Sequence, residues 1–264
     1  MKYILWCTAA LAVCLLGAWF PARLLRRKKG FSRTAVFFLG LGFALMLMLG
    51  VSLGYLRVYY HADSTAGTSS ETVEMQSIDG GWFFDGPGEE RALIFYPGAK
   101  VETLAYAPLM TALAEQGVDC FLADMPFRMA IFGSQRADKF MKAYDYKSWS
   151  AAGHSMGGLV ISSYAADHAE IFDSLVLLAA YPGGRIPDDV ALCSVFGTKD
   201  GCLNREVYEE SKEYWPIHAA EFAIEGGNHA QYANYGFQSG DGEADISREE
   251  QQKQTVEIIL KQIR

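Results

Sequence analysis

The stretch Gly153-His154-Ser155-Met156-Gly157-Gly158 most constrains what this chain can fold into. A strand-like run ends at Ala152, and Leu159-Val160-Ile161-Ser162-Ser163-Tyr164-Ala165-Ala166 reads as a helix of small residues. A G-x-S-x-G pentapeptide set between strand and helix is a tight turn, in which the glycines let the serine hold an unfavourable backbone conformation. Its hydroxyl then projects from the carboxyl end of the sheet. The Met156 N–H points to where negative charge would collect on a reacting carbonyl. Gly153, His154 and Gly157 complete the elbow. Taken alone, the pentapeptide also fits a plain turn before a helix, so the assignment needs partners elsewhere in the chain.

Two further stretches supply them. Val195-Phe196-Gly197-Thr198-Lys199-Asp200-Gly201 reads as an apolar strand running into a turn that carries an aspartate. Glu225-Gly226-Gly227-Asn228-His229-Ala230 reads as a strand end, a glycine pair and a histidine. Singly, Asp200 is a turn residue, because Asp-Gly is a common turn dipeptide, and His229 is a loop histidine. Jointly, Ser155, Asp200 and His229 each follow a candidate strand, where open α/β sheets carry their sites. A serine hydroxyl is a poor nucleophile at neutral pH and needs a base within hydrogen-bond reach. His229 suits that role, and Asp200 would fix its tautomer and stabilise the imidazolium.

A second backbone donor for the same negative charge should follow an earlier strand. Ala92-Leu93-Ile94-Phe95-Tyr96 is a buried-strand run, and Pro97-Gly98-Ala99-Lys100 follows it. The Ala99 N–H is the expected donor, with Lys100 next. An ordinary strand-to-helix turn fits these residues too.

The remaining pattern alternates. After a lead-in hairpin in residues 71–84, strands are expected at Leu93–Tyr96, Asp119–Ala123, Ser148–Ala152, Ser174–Ala180, Leu192–Phe196 and Ala220–Ile224. Helices fall between them at Thr103–Gln116, near Ser134–Tyr144, after the elbow and near Asn204–Tyr214. A last helix starts near Ser247, whose Ser-x-x-Glu spacing to Glu250 is a capping box, and Ile258, Ile259 and Ile263 give it an apolar face. Strands separated by helices make a mostly parallel sheet with helices on its faces, the α/β class.

The span from Ala92 to Gln252 resembles the α/β-hydrolase fold, and in particular α/β-hydrolase family 5, which is similar to dienelactone hydrolases. The resemblance rests on Tyr96-Pro97-Gly98-Ala99-Lys100-Val101-Glu102, Met125-Pro126-Phe127, the elbow, Leu177-Leu178-Ala179-Ala180-Tyr181-Pro182, Gly226-Gly227-Asn228-His229-Ala230-Gln231-Tyr232 and the run from Gly240 to Ser247. It implies a hydrolase fold with a serine triad in the order Ser, Asp, His and no cofactor. It implies little about substrate, because this fold hosts many reactions. Dienelactone hydrolases use a cysteine nucleophile, so their particular reaction does not carry over to a chain with Ser155.

The N-terminus is of another kind. Residues 3–20 and 35–56 are free of charge over 18 and 22 residues. Each is long enough to cross a hydrocarbon core of ~30 Å. The loop 21–34 between them holds Arg23, Arg26, Arg27, Lys28, Lys29 and Arg33, and no acidic residue precedes Asp63. The positive-inside rule places that loop in the cytoplasm and everything after it outside. The expected organisation is a two-helix anchor in residues 1–57, a Ser/Thr/Gly-rich linker in 58–70 and a catalytic domain in 71–264. Two other readings exist for the first segment: a signal peptide cleaved near Gly17-Ala18, or, for both segments, buried core helices.

Charge follows the same division. Residues 1–56 carry seven Lys/Arg, which leaves 16 basic and 31 acidic residues to the rest. Such an acidic domain is expected to be repelled by nucleic acid and by anionic lipid surfaces. The expected partners are the lipid bilayer and a small-molecule ester or an acyl-bearing envelope substrate. Cys193 and Cys202 flank the strand and turn that carry Asp200, and an oxidising exterior permits a disulfide there. No Cys/His spacing suggests a metal. The acidic loop Asp241-Gly242-Glu243-Ala244-Asp245 lacks calcium-loop spacing and reads as a solvated turn. About ten residues separate Tyr181 from the next strand, too few for lid helices, so an open or shallow site is expected, with Met125–Gly133 as its pocket wall or, equally well, as part of the core. Esterase chemistry outside the cytoplasm is the leading expectation. Peptide or amide hydrolysis, and a non-catalytic binding protein, are the alternatives.

Overall fold

A computed structural model describes residues 32–67, 70–88 and 90–263. Internal contacts divide the chain into two units, residues 1–58 and 59–264. In the first unit the described residues form one long helix, α1 (Arg33–Arg57), capped by the Ser32 side chain, which accepts from the Ala35 N–H. An 18-residue window within Thr34–Arg57 has a mean hydropathy of 2.4, and at 1.5 Å per residue the 24-residue stretch is about 36 Å long, enough to span a membrane. Phe37, Phe38, Leu45, Met46, Leu49, Val51 and Tyr55 are all exposed on it. Among the described residues one apolar helix of membrane-spanning length is found. The other expected span, residues 3–20, lies outside the described residues, as does most of the basic loop.

The second unit is built on an eight-stranded sheet: β1 (Glu74–Ile78), β2 (Gly81–Asp85), β3 (Arg91–Tyr96), β4 (Asp119–Ala123), β5 (Ser148–His154), β6 (Phe172–Leu178), β7 (Ala191–Gly197) and β8 (Ala220–Ile224). Its strand order is β1-β2-β4-β3-β5-β6-β7-β8. β1 and β2 form an antiparallel hairpin, β2 pairs antiparallel with β4, and every other pairing is parallel. Parallel strands are covered on both faces and so read as continuous apolar runs. The period of two then divides each strand between two cores. Leu93 and Phe95 of β3 pack with α2 (Ala107–Ala114) and α6 (Arg248–Gln262). Ala92, Ile94 and Tyr96 pack on the other side with α3 (Ala137–Ala143) and α4 (Met156–Asp167). A short helix, α5 (Arg205–Glu210), follows β7. The capping box holds in part: Ser247 Oγ accepts from the Glu250 N–H at 3.2 Å.

The stretch 58–70, expected as a linker, is fastened to the catalytic unit over its described part. Tyr60 bridges to Val101. The Asp63 N–H donates to the Asn234 carbonyl at 2.8 Å, and the Asp63 carboxylate pairs with Arg248 at 2.9 Å. These bonds are largely made by backbone groups, which every residue carries, so composition does not announce them.

Candidate active site

Among the described residues, five other than glycine have positive φ: Lys100 (60°), Phe127 (54°), Arg128 (57°), Ser155 (53°) and Ala179 (48°). They follow the carboxyl ends of β3, β4, β5 and β6, so backbone strain is gathered at one edge of the sheet, as it is around functional sites. Ser155 is the elbow residue, at φ 53° and ψ −124°, immediately before α4. Its N–H donates to the Leu178 carbonyl of β6 at 2.9 Å. Gly157 is required by contact: a Cβ there would stand 2.0 Å from the Tyr96 carbonyl oxygen.

Ser155, Met156 and His229 line one cavity of about 360 Å³ with Leu159, Tyr181 and Leu203. His229 Nδ1 lies 2.9 Å from Asp200 Oδ2, and both side chains are buried. The other carboxylate oxygen of Asp200 accepts from the N–H groups of Cys202 and Leu203, each at 2.8 Å. That fork fixes the carboxylate. With Nδ1–H donating to Asp200, Nε2 of His229 is left as the acceptor. The three residues singled out in the sequence therefore lie together at the strand ends, Asp200 against His229 and His229 on the cavity shared with Ser155.

Around the expected second backbone donor, the Gly98 N–H donates to Tyr106 Oη at 2.9 Å and the Lys100 N–H to the Arg128 carbonyl at 2.7 Å. The Lys100 N–H is thereby spent within the protein, which removes it as a donor to substrate. Ala99, between them, keeps the role open to it.

Two residues that sequence reasoning passed over organise the site. Tyr106, fully buried, joins its halves: its hydroxyl accepts from Gly98 and lies 2.7 Å from His154 Nδ1. One hydroxyl thus touches both the oxyanion loop and the elbow histidine. Burial, and His229 beside it, hold the His154 pKa well below the usual range, so the ring is neutral. Its centroid is 4.5 Å from that of His229. Asp241 is the second. It accepts from His229 N–H (3.2 Å), Ala230 N–H (2.8 Å), Gly201 N–H (3.0 Å) and Gly242 N–H (2.8 Å). The expected solvated turn is instead a clip between the Asp200 loop and the His229 loop. The Gly-Asp-Gly run was visible in the sequence, but its target was not.

Two further expectations are corrected. Met125–Gly133 is absent from the cavity lining; Met125 and Ala130 belong to the core, and Phe127, Ile131 and Phe132 face water. Cys193 and Cys202 are free thiols. Asp200, Cys202 and His229 bring three possible metal-ligand atoms within 4.8 Å of one another. Burial and the nearby Asp241 push the Cys202 thiol up to about 11, which keeps it protonated and a poor ligand. The Asp200 and His229 atoms are already spent on each other.

Comparison with known proteins places this geometry. No curated protein sequence matches the chain. Among solved structures, a dienelactone hydrolase from Anabaena variabilis matches with a TM-score of 0.54 at 12% identity, over 74% of this chain and 100% of that one. An esterase from Mycobacterium tuberculosis matches at 0.53 and 12% identity, over 75% and 93%. A predicted CIB-like hydrolase from Thermoplasma acidophilum matches at 0.53 and 15% identity, over 71% and 97%. At such identities the likeness is one of fold. The family model named alpha/beta hydrolase family matches residues 92–253, well over half of the sequence, and with the sheet order and the elbow already described, the chain belongs to the α/β-hydrolase family.

Proposed function

We propose that this protein is a membrane-anchored serine hydrolase that cleaves carboxylic esters outside the cytoplasm. One observation carries the reading: Ser155, held at φ 53°, opens on the same cavity as His229, whose Nδ1 is tied to the buried Asp200 at 2.9 Å. His229 Nε2 takes the Ser155 proton as Oγ attacks the ester carbonyl. Asp200 holds the tautomer and offsets the positive charge on the imidazolium. The Met156 and Ala99 N–H groups stabilise the oxyanion, the first of them at the N-terminus of α4 where the helix dipole adds to its effect. His229 then gives its proton to the leaving alcohol. Water, activated the same way, releases the acid and restores Ser155. The cavity is modest and apolar, which suits a small acyl group or one projecting from a larger molecule.

Fluorophosphonate labelling of purified protein tests the nucleophile, with modification expected at Ser155. Ser155→Ala should lower turnover of a short-chain nitrophenyl ester by roughly 10⁵-fold or more with the melting temperature unchanged. Undiminished activity would end the reading. Faster cleavage of peptides than esters by wild-type protein would move it to amide hydrolysis, and an absence of turnover with any acyl substrate would favour a binding protein. The side of the membrane rests on the six basic residues in loop 21–34. A reporter active only after export, fused beyond Arg264, should give signal.

A further inference from the structure

The chain enters the catalytic unit on the face that carries the site. The Tyr60 N–H donates to the Lys100 carbonyl at 2.7 Å, and the Tyr60 carbonyl accepts from the Glu102 N–H at 2.9 Å. Lys100 adjoins Ala99 of the oxyanion loop. The Tyr59 ring lies under the Arg128 guanidinium, 3.5 Å from centroid to Cζ. The Tyr60 hydroxyl accepts from the Ser239 N–H at 3.2 Å, and its ring packs on Tyr235 at 5.5 Å. The entry point is thus wedged among the loops that follow β3, β4 and β8, all at the carboxyl edge.

Exposed apolar side chains flank this point on two sides. Phe127, Ile131 and Phe132 are 53%, 51% and 53% exposed, and the two phenyl rings meet edge to face at 5.8 Å. On the other side Phe237, 65% exposed, sits between Tyr235 and Ser239, both of which touch Tyr60. Water-facing aromatics gathered at a site mouth mark a contact surface. Their rim carries guanidinium groups in a strongly acidic unit: Arg128 follows Phe127, and a shallow hollow of about 290 Å³ beside Phe132 is lined by Arg136 and by Lys139, the latter paired with Asp79 at 2.7 Å. Aromatic rings edged by Arg and Lys are the composition of a lipid–water interface.

Chain connectivity supplies the occupant. The apolar helix ends at Arg57, and Tyr59 is two residues further on. Two residues reach at most ~7 Å, so a helix end at a bilayer surface keeps the entry point near that surface, whichever way the helix leans. We propose that the rim of Phe127, Ile131, Phe132 and Phe237 rests on the lipid bilayer and that the site takes amphiphilic acyl esters held in the lipid–water interface. This rests on the membrane-anchored reading and narrows its substrate class.

The test uses the full chain in nanodiscs of mixed zwitterionic and anionic phospholipid, doped with a diazirine-bearing phosphatidylcholine, with cross-linked peptides mapped after illumination. Adducts are expected in 33–57 and also in 125–133 and 235–239. Adducts in 33–57 alone would overturn the proposal and leave the anchor standing; adducts nowhere would remove the anchor, and the proposal with it. Phe127→Ser combined with Phe132→Ser should lose the adducts in 125–133. It should also hydrolyse a fluorescent long-chain acyl ester in the same nanodisc about tenfold more slowly, while a soluble short-chain ester is turned over as before. Equal rates on the bilayer ester would overturn the substrate class. If the double variant fails to fold, Phe237→Ser is read in the same way through 235–239. A dimeric full chain by native mass spectrometry of the nanodisc, with no lipid adducts at the rim, would assign the surface to self-association and overturn the proposal.

Discussion

Two glycine-containing apolar helices of this protein use the same residues in opposite ways. In α1, Gly42, Gly50 and Gly54 have no described atom within 4 Å of where a Cβ would stand, and large apolar side chains point outward along the helix. In α4, a Cβ at Gly157 would stand 2.0 Å from the Tyr96 carbonyl oxygen, and one at Gly158 would stand 2.5 Å from the Ala180 side chain. The glycines of α4 are fixed by protein backbone pressed against them, which lets the helix begin beside β3 and points Ser155 at the cavity. Those of α1 meet no described atom and carry no such contact. Apolarity and glycine content therefore do not say what solvates a helix; the surroundings do.

The hardest way to break the contrast is Gly157→Ala. A methyl group against backbone cannot be relieved by a rotamer change, so the elbow must shift. Ester turnover should fall at least a thousandfold, and melting should drop by several degrees, seen by scanning calorimetry. Wild-type behaviour would mean that α4 is not held by this contact.

Next in size is Asp241→Ala, which leaves the N–H groups of Gly201, His229 and Ala230 without their acceptor. Each unsatisfied buried donor costs about 1–3 kcal/mol, less where water reaches it, so stability to urea should fall by roughly 2 kcal/mol and kcat should fall with it. Loss of stability with kcat intact would limit Asp241 to holding the fold.

Tyr106→Phe is a finer probe, since it removes one oxygen and keeps the ring. The Gly98 N–H and His154 Nδ1 both lose their partner. A kcat drop of about 10- to 100-fold with little change in KM is expected, because the loop positions a donor that acts in the transition state. Tyr96→Phe is the matched control: that hydroxyl is also buried, but it bonds Ser134 and Ala137 in the other core. Equal losses in both variants would make the Tyr106 effect a matter of stability alone.

The smallest effect belongs to α1. Gly50→Ala should leave ester turnover and the melting of the catalytic unit unchanged within about 0.5 kcal/mol, read as before. A large effect on either would show that the helix packs against protein there.

How far the sequence could be read depended on the range of the forces involved. The elbow was legible because its constraint is local: Gly153, Ser155 and Gly157 lie within five residues, and turn sterics act at that distance. Asp200 and His229 were legible because each closes a strand, and strand ends gather at one edge of a parallel sheet. Asp241 was misread as a solvated turn, since the N–H groups it accepts from belong to loops 11 to 40 residues away. The segment 125–133 fits pocket wall and core equally well in sequence, because an apolar run after a strand does not reveal which residues turn inward. Two consecutive left-handed residues, Phe127 and Arg128, made that choice.

By itself, then, the sequence determined the class of sheet, the elbow, the order and strand-end positions of Ser155, Asp200 and His229, and one apolar segment of membrane-spanning length. These follow from side-chain periodicity, from the steric needs of one turn and from hydrophobic length, all of which act between near neighbours in the chain. Only the tertiary structure decided that Tyr106 ties the oxyanion loop to His154, that Asp241 clips two loops together, that the Lys100 N–H is spent on Arg128, and that the chain joins the catalytic unit beside its site. Each of these is a hydrogen bond or contact between residues remote in sequence, and its donor or acceptor is a group so common that only proximity in space makes it a partner.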